Sequence, residues 1–273
     1  MADEDQTRLE THFRFGENWS DYARRIDAAA VREAEAGLAR LIEPEQITGR
    51  TVIDIGCGSG LHALAFLNLG AQSVLAVDID PQSAATARTV LSERAAAGRW
   101  QVAEQSVFDL GPATTGRFDI VYSWGVLHHT GDLDRAMRCA GALVGPGGLF
   151  AFALYRETSL DRLWIAEKRW YAKASPAAQA RARRLYTGLY RLGLRATGRR
   201  YADHVAGYKS RRGMSFEHDV HDWLGGWPYE AVSPIAVDRQ MRELGLSRVT
   251  AFTRPKSVGL LGSGCDEYVY ARR

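Results

Sequence analysis

Residues 51 to 60 read Thr-Val-Ile-Asp-Ile-Gly-Cys-Gly-Ser-Gly, a short run rich in β-branched side chains followed by three glycines at alternate positions. A strand that leads into such a loop has to turn sharply, and glycine lets the backbone turn and a ligand approach without meeting a Cβ. Asp54 lies within the apolar run, where an unpaired carboxylate is expensive, so it is expected to meet a ligand group or loop amides. A helix-like stretch over 61–69 and a second strand over 73–77 follow, and Asp78 comes eighteen residues after Gly60. An acid at that place can accept hydrogen bonds from both hydroxyls of a ribose. A nicotinamide-dinucleotide loop would carry its third glycine at position 61, which is Leu61 here. The GxGxG form suits a ligand with a nucleoside and no pyrophosphate.

Strand and helix keep alternating: a helix over 81–97, a weak strand over 100–103, a strand over 118–123 and a helix over 133–143. A strand over 149–154 then follows a turn at Gly145-Pro146-Gly147-Gly148. This order predicts a doubly wound α/β fold with a parallel sheet. Ahead of it, residues 17–42 predict an amphipathic helix with Trp19, Tyr22, Ile26, Val31, Leu38 and Leu41 on one face, closed by Pro44 and Gly49. After Tyr155 the alternation stops. From 158 to about 200 the chain is helical and Arg-rich, with Leu160, Leu163, Trp164, Leu185, Leu189 and Leu192 at helical spacing. A helix over 233–244 and strands over 248–253 and 267–271 resume the earlier pattern. The expected organisation is an N-terminal helical segment (1–47), a ligand-binding core (48–155), a helical lid and second-substrate insert (156–230) and a C-terminal completion of the sheet (231–273).

With 273 residues, 46% of them hydrophobic, the chain can bury a substantial core. Cys57, Cys139 and Cys265 are too far apart to suggest a zinc site or a disulfide framework, which favours a reducing, cytoplasmic setting. The first ten residues are acidic and polar where a secretory leader would be basic and apolar, and no run approaches eighteen apolar residues; no membrane partner is expected. The net charge of +3 hides an asymmetry. Residues 156–212 hold fifteen Lys and Arg against four acids, a segment of +11 on a body of −8.

The chain resembles the class I S-adenosylmethionine (SAM)-dependent methyltransferases, in a bacterial form with a helical insert after strand five. The resemblance rests on Asp54-Ile55-Gly56-Cys57-Gly58-Ser59-Gly60, on Val77-Asp78-Ile79-Asp80, on Ser106-Val107, and on Phe118-Asp119-Ile120-Val121-Tyr122-Ser123 leading to Trp124-Gly125-Val126-Leu127-His128-His129. It implies a seven-stranded Rossmann-like sheet with an antiparallel last strand, and SAM as cofactor. Gly56, Gly58 and Gly60 would line its methionine part, Asp78 and Ile79 the ribose, Ser106 and Val107 the adenine. Trp124, just past strand four, would lie beside the methionine tail, and Trp19 or Tyr22 would cover the site. Many relatives carry an Asp where this chain has Ser106.

The sulfonium is already a good leaving group, so the protein has chiefly to align a nucleophile and exclude water. An oxygen acceptor favours a nearby base, for which His128 and His129, after strand four, are the candidates. Tyr155 and the cluster of His218, His221, Trp223 and Trp227 are candidate walls of the acceptor pocket. His218, Asp219, His221 and Asp222 match no standard metal spacing, so no metal is expected. The basic insert suits an anionic small-molecule acceptor or, as the alternative, tRNA; a SAM-binding protein without transfer activity is the third reading.

Overall fold

The structure, a computed structural model, describes residues 7, 8, 12, 13, 23, 26–206, 208, 216–255, 257–260 and 262–273, with His218 described by its backbone alone. Helix α1 (Ala28–Leu41) begins at Asp27, whose Oδ1 accepts from the Ala30 amide at 2.8 Å. Pro44 does not merely close this segment: it opens a short helix α2 (Pro44–Ile47), as suits a residue whose missing N–H would be unpaired there anyway. Strands and helices then alternate: β1 (Thr51–Ile55), α3 (Leu61–Asn68), β2 (Ser73–Asp78), α4 (Pro81–Arg94), β3 (Trp100–Glu104), β4 (Phe118–Trp124), α5 (Leu133–Ala142) and β5 (Val144–Tyr155). Among the described residues four insert helices follow, α6 (Asp161–Lys173), α7 (Pro176–Ala196), α8 (Tyr201–Ala206) and α9 (Phe216–Gly225). The chain returns to the sheet with α10 (Pro234–Glu243), β6 (Leu246–Phe252) and β7 (Cys265–Arg272).

The seven strands lie in the order β3-β2-β1-β4-β5-β7-β6. Neighbours from β3 through β5 are parallel, and β7 runs antiparallel to both β5 and β6. Alternation along each strand sends side chains to two cores. Val52, Ile120, Tyr122, Ala151 and Val269 pack toward α1, α3 and α4 with Leu38, Phe66 and Leu91. Ile53, Val121, Phe150, Phe152 and Tyr270 pack toward α5 and α10 with Met137 and Met241. Each fully buried side chain of this size contributes roughly 1.5–3 kcal/mol, so these two layers fix where the strand ends lie.

Two expectations change. Gly145-Pro146-Gly147-Gly148 is not a turn ahead of a six-residue strand but part of β5, where the pairing with β4 jumps from Phe118–Val144 to Ile120–Leu149. A Cβ at Gly148 would lie 2.8 Å from the Asp119 carbonyl oxygen, so the close passage of the two backbones needs glycine. In the insert, Trp164 is buried, but Leu163, Leu185, Leu189 and Leu192 are exposed. Tyr186, Tyr190 and Leu194 turn inward in their place.

Candidate functional site

The loop after β1 is held from below by β2: the amides of Gly56 and Cys57 both donate to the Val77 carbonyl, at 2.8 and 3.0 Å. Gly56, Gly58 and Gly60 all have positive φ (75°, 52° and 78°). A Cβ on Gly56 would stand 2.4 Å from both methyls of Val126, and one on Gly60 would stand 3.1 Å from the Ala87 backbone. The loop therefore needs glycine for its own conformation and for its close packing. We expect Gly56→Ala to lose several kcal/mol of stability, from left-handed backbone strain of about 1–3 kcal/mol plus the clash. Thermal melting of the purified variant checks this, and an unchanged midpoint would contradict it.

Two carboxylates face this loop. Asp78, at the end of β2, accepts from the Gly58 amide through Oδ2 and from the Asp80 amide through Oδ1, both at 2.9 Å. Asp54 is 2% exposed. It accepts a backbone bond from Ala63, while its Oδ2 is buried with no partner. Burial, with a smaller contribution from Asp78, raises the Asp54 pKa from 3.8 to about 7. Burial likewise raises Asp78 to about 6 against the pull of its amide donors. Two acids raised by burial, one of them with a buried acceptor oxygen left over, make the surroundings of this loop suited to a cationic group.

Around it, Ile79 is half-buried, and Ser106 caps the short turn Val107–Asp109 by accepting from the Phe108 amide at 3.3 Å. Val107 is buried in the core beside α5. Trp124 is the last residue of β4 rather than a residue beyond it, because its pairing with Ala153 extends the strand. Its ring lies parallel to Tyr122, 6.0 Å away at 7°. His62, in the first turn of α3, packs edge-on against Tyr122 at 5.2 Å and near Trp124, and burial lowers its pKa to about 4. Neither His62 nor Tyr122 was among the expected site residues. Position was the available signal, since the turn after a glycine loop and the end of β4 open on the same sheet edge. Trp19 and Tyr22 lie outside the described residues.

The other side of that edge is aromatic. Tyr155, closing β5, has ring neighbours His128 (4.0 Å), His129 (5.3 Å), Tyr229 (5.2 Å) and Trp223 (5.3 Å, edge-on). His128 has no exposed surface. Its Nδ1 accepts from the Tyr155 amide at 3.3 Å, so its proton sits on Nε2, which is buried with no partner. His129 Nδ1 lies 2.6 Å from the Pro228 carbonyl and must donate to it. Burial drives the pKa of His128 well below 6.5 and that of His129 to about 3, and the Lys168 cation lowers both further. The sequence offers two bases facing an acceptor. The structure shows two buried neutral imidazoles, one with its accepting nitrogen already occupied. We expect neither ring to titrate between about pH 5 and 8; a Cε1 proton resonance moving with a midpoint near 6.5 would contradict this.

The insert residues divide. Trp223 stacks into the wall around Tyr155, and its Nε1–H is buried without a partner. Trp227 is buried, and its carbonyl accepts from the Phe13 amide at 2.9 Å, tying the N-terminal segment to the insert. His221 does not face the wall openly: its Nδ1 meets Tyr171 Oη (2.8 Å) and accepts from Arg183 (3.1 Å) in a network inside the insert. The side chain of His218 lies outside the described structure. Among the described residues no three His, Cys, Asp or Glu side chains gather in a form that could hold a metal ion.

Residues 22–197 match the methyltransferase domain family. The chain belongs to that family. Its domain is of the SAM-dependent class, and that cofactor's α-ammonium is a group that the orphaned Asp54 Oδ2 fits. Over 129 residues it is 38% identical to a tRNA U34 carboxymethyltransferase of Methylococcus capsulatus, a match covering 45% of this chain and 38% of that protein. Over 131 residues it is 34% identical to a ubiquinone biosynthesis O-methyltransferase of Xanthomonas oryzae pv. oryzae, covering 48% and 54%. The matches thus span about half, or less, of those relatives. A solved structure of magnesium protoporphyrin IX methyltransferase from Synechocystis PCC 6803 with bound SAM shares the fold, with a TM-score of 0.59 at 13% identity over 100% of both chains.

The chain also contains a buried lysine that the sequence did not single out. Lys168 on α6 is fully buried, with Nζ 3.6 Å from the centroid of Trp223 and 5.2 Å from that of Tyr229, and donates to the Trp223 carbonyl. Burial pulls its pKa down, and burial pushes up that of the neighbouring Glu167, whose two carboxylate oxygens are buried without hydrogen-bond partners. In a segment this rich in Arg and Lys, one inward lysine looks like every solvated one.

Proposed function

We propose that this methyltransferase acts on a small, largely apolar acceptor with a reactive oxygen, and that the insert helices form a lid over the C-terminal edge of the sheet. The observation that carries this reading is the wall of Tyr155, Trp223, Tyr229 and the two neutral histidines beside the cofactor loop. Aromatic faces with a few N–H donors suit a planar organic molecule better than a phosphate backbone. The relatives named for ubiquinone biosynthesis and magnesium protoporphyrin IX lend support.

When bound, SAM supplies an electrophilic methyl group on a sulfonium that departs as a neutral thioether. Asp54 Oδ2 would take its α-ammonium, and the remaining lone pairs of Asp78 would take the ribose hydroxyls. The glycines would admit the methionine part beside Trp124, Ile79 would flank the ribose, and Ser106 and Val107 the adenine. A bound cation restores both carboxylates to their charged forms. His128 and His129, in this reading, position the Tyr155 wall and exclude water. His128 Nε2 and Trp223 Nε1 are buried donors for an acceptor's oxygen. A phenol or carboxylate acceptor ionised in solution needs only alignment, worth many orders of magnitude in rate.

The test is a methyl-transfer screen with isotopically labelled SAM against phenols, carboxylic acids and bulk tRNA. Labelling of a phenol or acid supports the reading; labelling of tRNA alone overturns it. The +11 segment and the tRNA-modifying relative favour tRNA as the second reading. Its signature is affinity that falls steeply with salt, and absence of RNA binding at low salt rejects it.

A further inference from the structure

Helix α7 has two unlike faces. Tyr186, Tyr190 and Leu194 face the insert core, and Arg183 reaches Tyr171 and His221 there. The outer face carries Leu185, Leu189 and Leu192, which are 67, 52 and 63% exposed. At 100° per residue these three fall within about 60° of one another. Arg181, Arg195 and Arg184 run along one side of this stripe, about 20°, 60° and 80° beyond its edge, all exposed. No Asp or Glu occurs anywhere in α7. Helix α6 repeats the combination: Ile165 and Trp170 are exposed in a groove that they form with Arg162, Arg169 and Lys173. Soluble surfaces rarely place three large leucines in a row in water, and the cationic border limits what can cover them.

We propose that the outer face of α7 lies on an anionic lipid surface, with Leu185, Leu189 and Leu192 entering the acyl boundary and Arg181, Arg184 and Arg195 meeting the headgroups. Charge complementarity commits the face to this occupant. An acid-free stripe of leucine and arginine repels a second copy of itself, and aliphatic leucines offer no stacking platform for nucleic-acid bases. No helix among the described residues is long and apolar enough to cross a membrane. The expectation of no membrane partner rested on the lack of such a run and on the polar first ten residues, neither of which bears on a helix lying in the interface. An apolar acceptor dissolved in a bilayer would reach the lid from that side, but the proposal does not depend on the identity of the acceptor.

The experiment is vesicle flotation of the full chain with phosphatidylcholine alone and with phosphatidylcholine mixed with phosphatidylglycerol. We expect binding to the mixed vesicles only, weakening as salt rises. The triple change Arg181→Glu, Arg184→Glu, Arg195→Glu should lower partitioning by about a hundredfold or more. The triple change Leu185→Ser, Leu189→Ser, Leu192→Ser should lower it by about tenfold or more. SAM binding by calorimetry should be unchanged in both, which shows that they fold and separates this result from the fate of the functional reading. Absence of flotation with anionic vesicles at low salt overturns the proposal. So does a wild-type dimer that the serine variant dissociates, or tRNA binding that the glutamate variant abolishes without any vesicle binding in the wild type.

Discussion

Asp54→Asn is expected to make the cofactor-free protein more stable at pH 8 while weakening its hold on SAM. A pKa of about 7 in place of 3.8 disfavours the charged carboxylate by about 4 kcal/mol at most. The sign follows from proton counting. Between those two values the folded protein holds the Asp54 proton more tightly than the unfolded chain, so this group's contribution falls as pH rises, and the deficit is complete above about 7. Asparagine removes the charge and keeps one acceptor for Ala63. Its amide N–H₂ then lies where Oδ2 was, buried without a partner, which costs about 1–3 kcal/mol. The net expectation is a gain of about 1–3 kcal/mol at pH 8 that turns into a loss of about 1–3 kcal/mol near pH 4, where the charge relief is gone and the amide cost remains. Denaturant unfolding at the two pH values measures it. In calorimetry the same variant should lose affinity for S-adenosylhomocysteine, which carries the α-ammonium, and keep its affinity for methylthioadenosine, which lacks the amino-acid tail. Equal losses for both compounds would place Asp54 elsewhere than against the ammonium.

Asp78→Ala removes more. Both oxygens of Asp78 hold loop amides, so the substitution frees the Gly58 and Asp80 amides and deletes the acceptors offered to the ribose. Lost charge-assisted hydrogen bonds of about 1–3 kcal/mol correspond to a roughly tenfold to hundredfold weaker complex. Wild-type affinity should itself depend on pH. Both acids are raised, to about 6 and about 7, and the cationic cofactor prefers them ionised. Affinity is therefore expected to be constant above about pH 7.5 and to fall as pH drops, by about tenfold per unit once one acid must release its proton. In Asp78→Ala the limb belonging to the lower of these values should be absent. A flat profile from pH 5 to 8 in the wild type would mean that neither carboxylate meets the ligand.

Much of the sheet and of the cofactor loop was legible because its signals are local. A strand that ends in GxGxG, an acid after the next strand, and the alternation of β-branched runs with helix-forming runs each occupy a few consecutive residues. The ends of β2, β4 and β7 shifted by one or two residues for an equally plain reason: a strand ends where its neighbour stops pairing, as with Trp124 opposite Ala153. The Gly145–Gly148 segment reads locally as a turn and became strand because Phe118 and Asp119 pass close beside it.

By itself, the sequence determined the fold family and the form of the glycine loop, since backbone conformation and hydrophobic period are properties of neighbours along the chain. Only the tertiary structure decided which side chains lose water. It buried His128, His129 and Lys168 together, put His221 into an internal network, and turned Leu185, Leu189 and Leu192 outward while Tyr186 and Tyr190 went in. Burial is settled by elements distant in sequence, and burial sets whether an imidazole is a base, whether a lysine is charged and whether a leucine stripe is core or surface.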